Sequence, residues 1–330
     1  SGTVKNGDTP IAGASVQLSC STDTADTSTV IPTSTTVENG TYTFSNIPDG
    51  TYTITASKTG YNATPGTTQV MVRGSDVTAQ NITLTPINYN IYVQGTRVTG
   101  ANMNDVLGNG AVTYTPNTNT LTLNNATISS ENTWDRGIYT SDALTINLIG
   151  TNEITGSGNS IYSTKPLTIM SSENGSLTMS SKDARSTLYA TADITISGSA
   201  VVNATIDGDA QAINSEVSGG KITITDTAQV TAKNIYAISD SKAKHSYAVL
   251  AGTDTDPNGT IEVEANASLV AQGSTYALRC GTFTYPAGKV KVSTNYSGAN
   301  PVTYDTAKLA TYKYVEVAPV EEYDVWVGDT

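Results

Sequence analysis

The chain has 330 residues, enough for two or three domains, and carries a formal net charge of −12 with only 14% charged residues. That acidity argues against nucleic acid as a partner, and leaves cations and neutral glycans open. One histidine and two cysteines, with no CxxC or Cys/His spacing, supply a zinc site or a Ser-His or Cys-His catalytic set poorly, and no run of 18 apolar residues is present to cross a membrane as a helix.

The polar surface is built from Thr, Ser and Asn, which favour strands and turns over helix. The chain opens inside a folded pattern, "SGTVKNGDTP", and reads as a piece of a larger mature protein. Short alternating runs follow: "ASVQLSC", "GTYTFSNI", "GTYTITASK", "QVMVRG" and "VTAQNITLTP". Gly40, Pro48-Asp49-Gly50 and Gly60 punctuate them. Strands of this spacing and period predict an antiparallel β-sandwich over residues 1–86. The pattern "SGTVKNGDTPIAGASVQL" followed by "NGTYTFSNIPDGTYTITASKTGY" resembles the carboxypeptidase regulatory-like modules of bacterial surface proteins. That resemblance implies a seven-strand, transthyretin-like spacer domain. A related group carries a Lys–Asn isopeptide cross-link made by a buried carboxylate. Lys5 and Asn81 lie in suitable outer strands, but Ser45 and Asn46 stand where the acid is needed, so a plain spacer is expected.

Residues 87–318 contain a repeat. Six segments share one pattern: 137–140 (GIYT), 160–163 (SIYS), 187–190 (TLYA), 212–215 (AINS), 237–240 (AISD) and 277–280 (ALRC). The first residue is small and the second is Ile or Leu. Period-2 alternation places positions two and four inward and position three outward. Each segment is followed by a second apolar pair, from Leu144/Ile146 to Ile261/Val263 and then Val290/Val292. A third segment recurs at Ile154, Leu177, Val202, Val230 and Leu269. The rungs are spaced 23, 27, 25, 25 and 40 residues apart, the long gap holding an insertion at 239–259. Three short strands per turn predict a parallel β-helix, right-handed by general preference. Single turns cannot bury their apolar face, so the ends need caps. The stretch from Asn88 to Ile128 is the expected N-terminal cap and first turn, and "YKYVEVAP" the closing one. The whole is all-β.

The lead-in "NYNIYVQGTRVTGANMNDVL", with "GIYTSDALTI" and "SIYSTKPLTI", resembles the carbohydrate-binding β-helix family of bacterial cell-surface proteins, similar in shape to pectate-lyase-like folds. It implies an extracellular protein at the bacterial surface that holds a polysaccharide or a host or cell-surface glycan. The outward column reads Tyr139, Tyr162, Tyr189, Asn214, Ser239 and Arg279. Exposed tyrosines offer a π face and a hydroxyl to a sugar ring, though stacked tyrosines also stabilise neighbouring strands. Trp134, in the loop "SSENTWDRG", joins this candidate set.

"DTDPNGTIEVEA" matches the first half of a calcium loop, with Asp254, Asp256 and Asn258 as ligands. The closing Glu position falls on Ala265, so Glu262 or Glu264 is left to complete it, with Glu262 taken as the candidate. Cys280 fills an inward position and reads as a packing thiol, while Cys20 ends an apolar strand. Lys221 and Arg279 are the only bases placed in the repeat register, so lyase or glycosidase chemistry is not expected. The final "YDVWVGDT" repeats "YNIYVQGT" at residues 89–96. Residues 319–330 therefore read as the start of a further module. A stiff stalk with recognition elsewhere is the competing expectation to binding.

Overall fold

The computed structural model describes residues 1–20, 33–63, 67–130, 136–182, 185–236 and 245–319. The chain divides into two compact units, one of residues 1–89 with 99–103 and one of residues 90–98 with 104 onward.

The N-terminal unit is a β-sandwich of short strands. One sheet runs Thr9–Pro10, Gly2–Asn6, Ile82–Pro86 and Tyr61–Ala63, with Thr41–Tyr42 alongside Gly2–Asn6. The other runs Thr33–Thr35, Ser15–Cys20, Gly50–Ser57 and Thr67–Val72. Alternation decides which side chains meet. Val16 and Leu18 are buried between exposed Ser15 and Gln17, and Ile82 and Leu84 between exposed Thr83 and Thr85. With Val4, Ile54 and Tyr42 they form the core. The Tyr42 hydroxyl donates to the Gln80 carbonyl at 2.5 Å, and burial pushes its pKa up to about 12. Asn81, the candidate cross-link residue, accepts from the Thr3 hydroxyl at 2.7 Å. The described acids here, Asp8, Glu38, Asp49 and Asp76, are all exposed.

The second unit is a β-solenoid of three parallel sheets, with about six turns. One sheet stacks Ile138–Thr140, Ile161–Ser163, Leu188–Ala190, Ile213–Ser215, Tyr247–Ala251 and Tyr276–Arg279. Its inward aliphatics Ile138, Ile161, Leu188, Ile213, Val249 and Leu278 form one continuous buried column. Each contributes roughly 1.5–3 kcal/mol by leaving water. The residue before the aliphatic must be small because it is buried against the next turn: a Cβ on Gly137 would run into Ile154 and the Ser160 carbonyl. A second sheet stacks Leu144, Leu167, Ile194, Ile222 and Ile261. The third stacks Ile154, Met179, Ala204, Ala232 and Ala271.

Antiparallel pairs close the ends. Asn88–Val93 lies antiparallel on Ile138–Thr140, and Val112–Thr115 forms a hairpin with Thr120–Asn124. At the far end Tyr314–Val317 pairs antiparallel with Ser268–Gln272, as the "YKYVEVAP" reading anticipates.

Four registers differ from the sequence reading. The fifth rung is Tyr247–Ala251, with Val249 where Ile238 is expected, so the long insertion precedes the rung instead of following it. Residues 237–240, Ser239 among them, lie outside the described residues, as do Trp134 and "YDVWVGDT". In the third sheet Ile154 aligns with Met179, and Asn152 aligns with Leu177. Asn152 is fully buried at an aliphatic position because its amide spans turns, donating to the Ile149 and Ser176 carbonyls and accepting from the Ala126 amide. Phe283 takes the sixth position of the second sheet, and Val290–Ser293 instead joins the C-terminal hairpin. Finally, Lys182 and Lys233 also sit in register, beside Asp207 and Gln272.

Candidate functional site

The outward column of the first sheet begins as four neighbouring rings, of which the last two are stacked. Tyr92 and Tyr139 have centroids 5.9 Å apart, Tyr139 and Tyr162 5.8 Å, and Tyr162 and Tyr189 4.9 Å with planes within 17°. The spacing follows from the strand repeat, since each ring sits on the rung beside its neighbour. The Arg136 guanidinium lies 3.9 Å from the Tyr162 centroid and 4.9 Å from that of Tyr139. Much of the π surface expected to meet a sugar is therefore taken up within the protein, by the next ring or by Arg136.

After Tyr189 the rings stop. Asn214 follows, only 2% exposed although its column faces outward, and then Leu250, fully buried in the place expected for Ser239. Here the surface opens into a cleft of about 580 Å³, lined among others by Arg136, Tyr162, Tyr189, Asn214, His245 and Asp254.

The cleft floor is a chain of amides and hydroxyls that climbs the solenoid. Asn159 donates to the Ser186 carbonyl at 2.5 Å, the Ser186 hydroxyl to Gln211 Oε1 at 2.8 Å, and Gln211 Nε2 to the His245 carbonyl at 3.0 Å. Asn214 Nδ2 faces three acceptors: Gln211 Oε1 at 3.0 Å, and Glu216 Oε2 and Ser186 Oγ at 3.4 Å each. That fixes the orientation of its amide and leaves the buried Oδ1 without a donor among the described residues.

Each acid of the cleft has a protein partner, although Asp254 Oδ1 has none among the described residues. Asp209 accepts from the His245 backbone N–H at 2.9 Å and the Ser246 hydroxyl at 2.8 Å. Asp254 pairs with His245 Nδ1. Glu216 bonds the Tyr189 hydroxyl, whose pKa is pushed well above its ordinary value by burial and then by the Glu216 carboxylate.

Three of the sugar-contact candidates, Tyr162, Tyr189 and Asn214, come together at the cleft, with Tyr139 one rung away. Arg279 does not join them. Its guanidinium lies 5.0 Å from the Tyr247 centroid, donating to the Tyr247 hydroxyl at 2.8 Å and the Asp254 carbonyl at 2.7 Å. Tyr247 itself stacks on Tyr276 at 5.6 Å.

The calcium candidates do not converge on one point. Asp256 Oδ2 accepts from Asn258 Nδ2 at 3.1 Å, and Asn258 Oδ1 from the Gly219 amide at 2.7 Å. Glu262 lies 2.5 Å from Lys221 Nζ, and Asp254 is on His245. Each is drawn to a different protein partner, so these residues do not fit a calcium loop. Among the described residues no three His, Cys, Asp or Glu side chains form a metal-holding group. Neither Cys20 nor Cys280 is in a disulfide; burial pushes the Cys280 thiol up to about 12.

Sequence reasoning missed Arg136, Asn159, Ser186 and Gln211. They were legible, for each stands two residues before the inward aliphatic of its rung. Read as a column they continue into Tyr247 and Tyr276. His245 carried no such signal, because the insertion that brings it back breaks the period.

Residues 1–85 match the family model of the carboxypeptidase regulatory-like domain, in line with the resemblance read from "NGTYTFSNIPDGTYTITASKTGY". No curated protein matches the chain. A regulatory-like domain followed by a β-solenoid fits a multi-module surface protein.

Proposed function

We propose that the chain is a non-catalytic segment of an extracellular bacterial surface protein and that its β-solenoid binds a glycan, as a polysaccharide or as an adhesion target. The observation that carries this reading is the cleft beside Tyr162 and Tyr189. It joins an aromatic wall to a floor of fixed amides, the mixture of apolar face and directed polar groups that a sugar ring presents in return. Holding, not cutting, is favoured because Asp209, Glu216 and Asp254 already serve protein donors.

The test is retention of the chain on immobilised plant and microbial polysaccharides. Retention on one glycan class, weakened by Tyr189→Ala and Gln211→Ala, supports the reading. Chelator is expected to leave it unchanged, since Asp254, Asp256, Asn258 and Glu262 are committed to the protein. Failure to bind any of the glycans would shift the weight to a stalk. The column of tyrosine rings in contact from rung to rung, useful for stiffness alone, favours that second reading.

A further inference from the structure

We infer that Arg136 is the residue that selects the ligand of the cleft, donating paired N–H groups of its guanidinium to two adjacent oxygens of the glycan. This rests on the glycan reading above.

Arg136 heads the column of residues that stand two places before the inward aliphatic: Arg136, Asn159, Ser186 and Gln211. The later three are each bonded to the next rung. Asn159 donates to the Ser186 carbonyl, the Ser186 hydroxyl to Gln211, and Gln211 to the His245 carbonyl. Arg136 does not follow them. Its guanidinium turns onto the tyrosines, 3.9 Å from the Tyr162 centroid and 4.9 Å from that of Tyr139, and donates to no acceptor among the described residues. A ring attracts the cation without taking up its hydrogen-bond donors, so those stay available. Contact with two rings also restrains the long side chain, so less freedom is lost when a ligand binds.

The acids that could hold the guanidinium are committed elsewhere. Asp209 accepts from His245 and Ser246, Asp254 lies on His245 Nδ1, and Glu216 takes the Tyr189 hydroxyl. Arg136 lines the same cleft of about 580 Å³ as Tyr162, Tyr189 and Gln211. Its charge is felt at the Tyr189 hydroxyl, where it draws back a pKa raised by burial and by Glu216. A restrained cation, unclaimed donors and an aromatic wall meet in one place. Two parallel N–H groups match two oxygens side by side, as in a carboxylate or in the vicinal hydroxyls of a sugar ring. A neutral glycan offers the second of these, and a uronate-bearing glycan offers both.

Two variants separate the fork from the charge. Arg136→Lys keeps a cation near the rings and removes the paired donors, and Arg136→Gln removes the charge as well. Binding of the folded proteins is measured on glucan, mannan and galactan, and on the same polymers oxidised at C6 to carboxylates. Both variants are expected to lose at least about tenfold in affinity for the polymer that the parent holds, with melting temperature only slightly lowered. Loss on a neutral polymer assigns vicinal hydroxyls as the partner. Loss confined to the oxidised polymers, with binding that fades as salt rises, assigns the carboxylate. Arg136→Lys that binds as the parent does overturns the paired-donor assignment. Arg136→Gln that binds as well or better marks a guanidinium that only covers rings and overturns the inference too. Both results leave the glycan reading intact, whereas a parent that holds none of the polymers overturns both. If neither variant folds, the Arg136 Nε–H resonance of the parent decides: a shift on adding the retained glycan is expected, and an unmoved resonance overturns the inference.

Discussion

The two halves of the tyrosine-bearing sheet are built from the same repeat and end up chemically different. From Tyr92 to Tyr189 the ring comes from the residue after the inward aliphatic, and Arg136 lies over Tyr139 and Tyr162. At Tyr247 and Tyr276 the ring comes from two residues before the aliphatic, with Arg279 over Tyr247. The aromatic column therefore changes track, and the cleft lies at the change. Where rings run on one track they consume each other's faces. Where the track switches, a face, a set of amides and a cavity are left together. A repeat makes a surface, and a break in the repeat makes a site.

This contrast can be broken by mutation. The largest effect is expected from Gln211→Ala, which strips partners from the Ser186 hydroxyl, the Asn214 amide and the His245 carbonyl at once. It should cost about 2–4 kcal/mol in urea unfolding, since each buried polar group left alone costs about 1–3 kcal/mol. Tyr189→Ala should weaken glycan retention about tenfold, whereas Tyr139→Ala, one rung inside the continuous ladder, should lower stability by about 1 kcal/mol and leave retention nearly unchanged. Equal binding losses at the two positions would mean that the whole ladder, not its end, is the contact surface.

Alkali probes the other half. Burial raises the Tyr247 pKa from 10.0 to about 12. Between those values the folded chain holds a proton that the unfolded chain has released, so stability falls as pH rises through this window. Below it the contribution is complete. Unfolding measured at pH 9 and pH 11 should show that decline, and Tyr247→Phe should make it shallower. The smallest effect is expected from Arg136→Gln, about 0.5–1 kcal/mol of lost cation–π contact seen as a small drop in melting temperature.

Much of the solenoid could be read from the chain because stacking demands the same residue at the same place. Ile138, Ile161, Leu188 and Ile213 lie on one another in the order their spacing predicts, and the small residue ahead of each is required by close packing. The errors fall where a residue of the wrong type does the right job. Asn152 fills an aliphatic position because its amide ties three backbone groups together. Val249 replaces Ile238 because an insertion shifts the rung, and nothing in local periodicity measures an insertion.

The sequence by itself determined that the chain is all-β, that a regulatory-like sandwich precedes a parallel solenoid, and which column carries the tyrosines, because alternation and repeat length are local properties of the chain. Tertiary structure alone decided that the tyrosines spend their faces on one another and on Arg136, that Asn214 is held under Ser186, Gln211 and Glu216, and that His245 and Asp254 meet in the cleft that Tyr189 also lines. Those outcomes depend on which groups arrive from distant turns to satisfy a buried donor or cover a ring, and sequence spacing does not encode that.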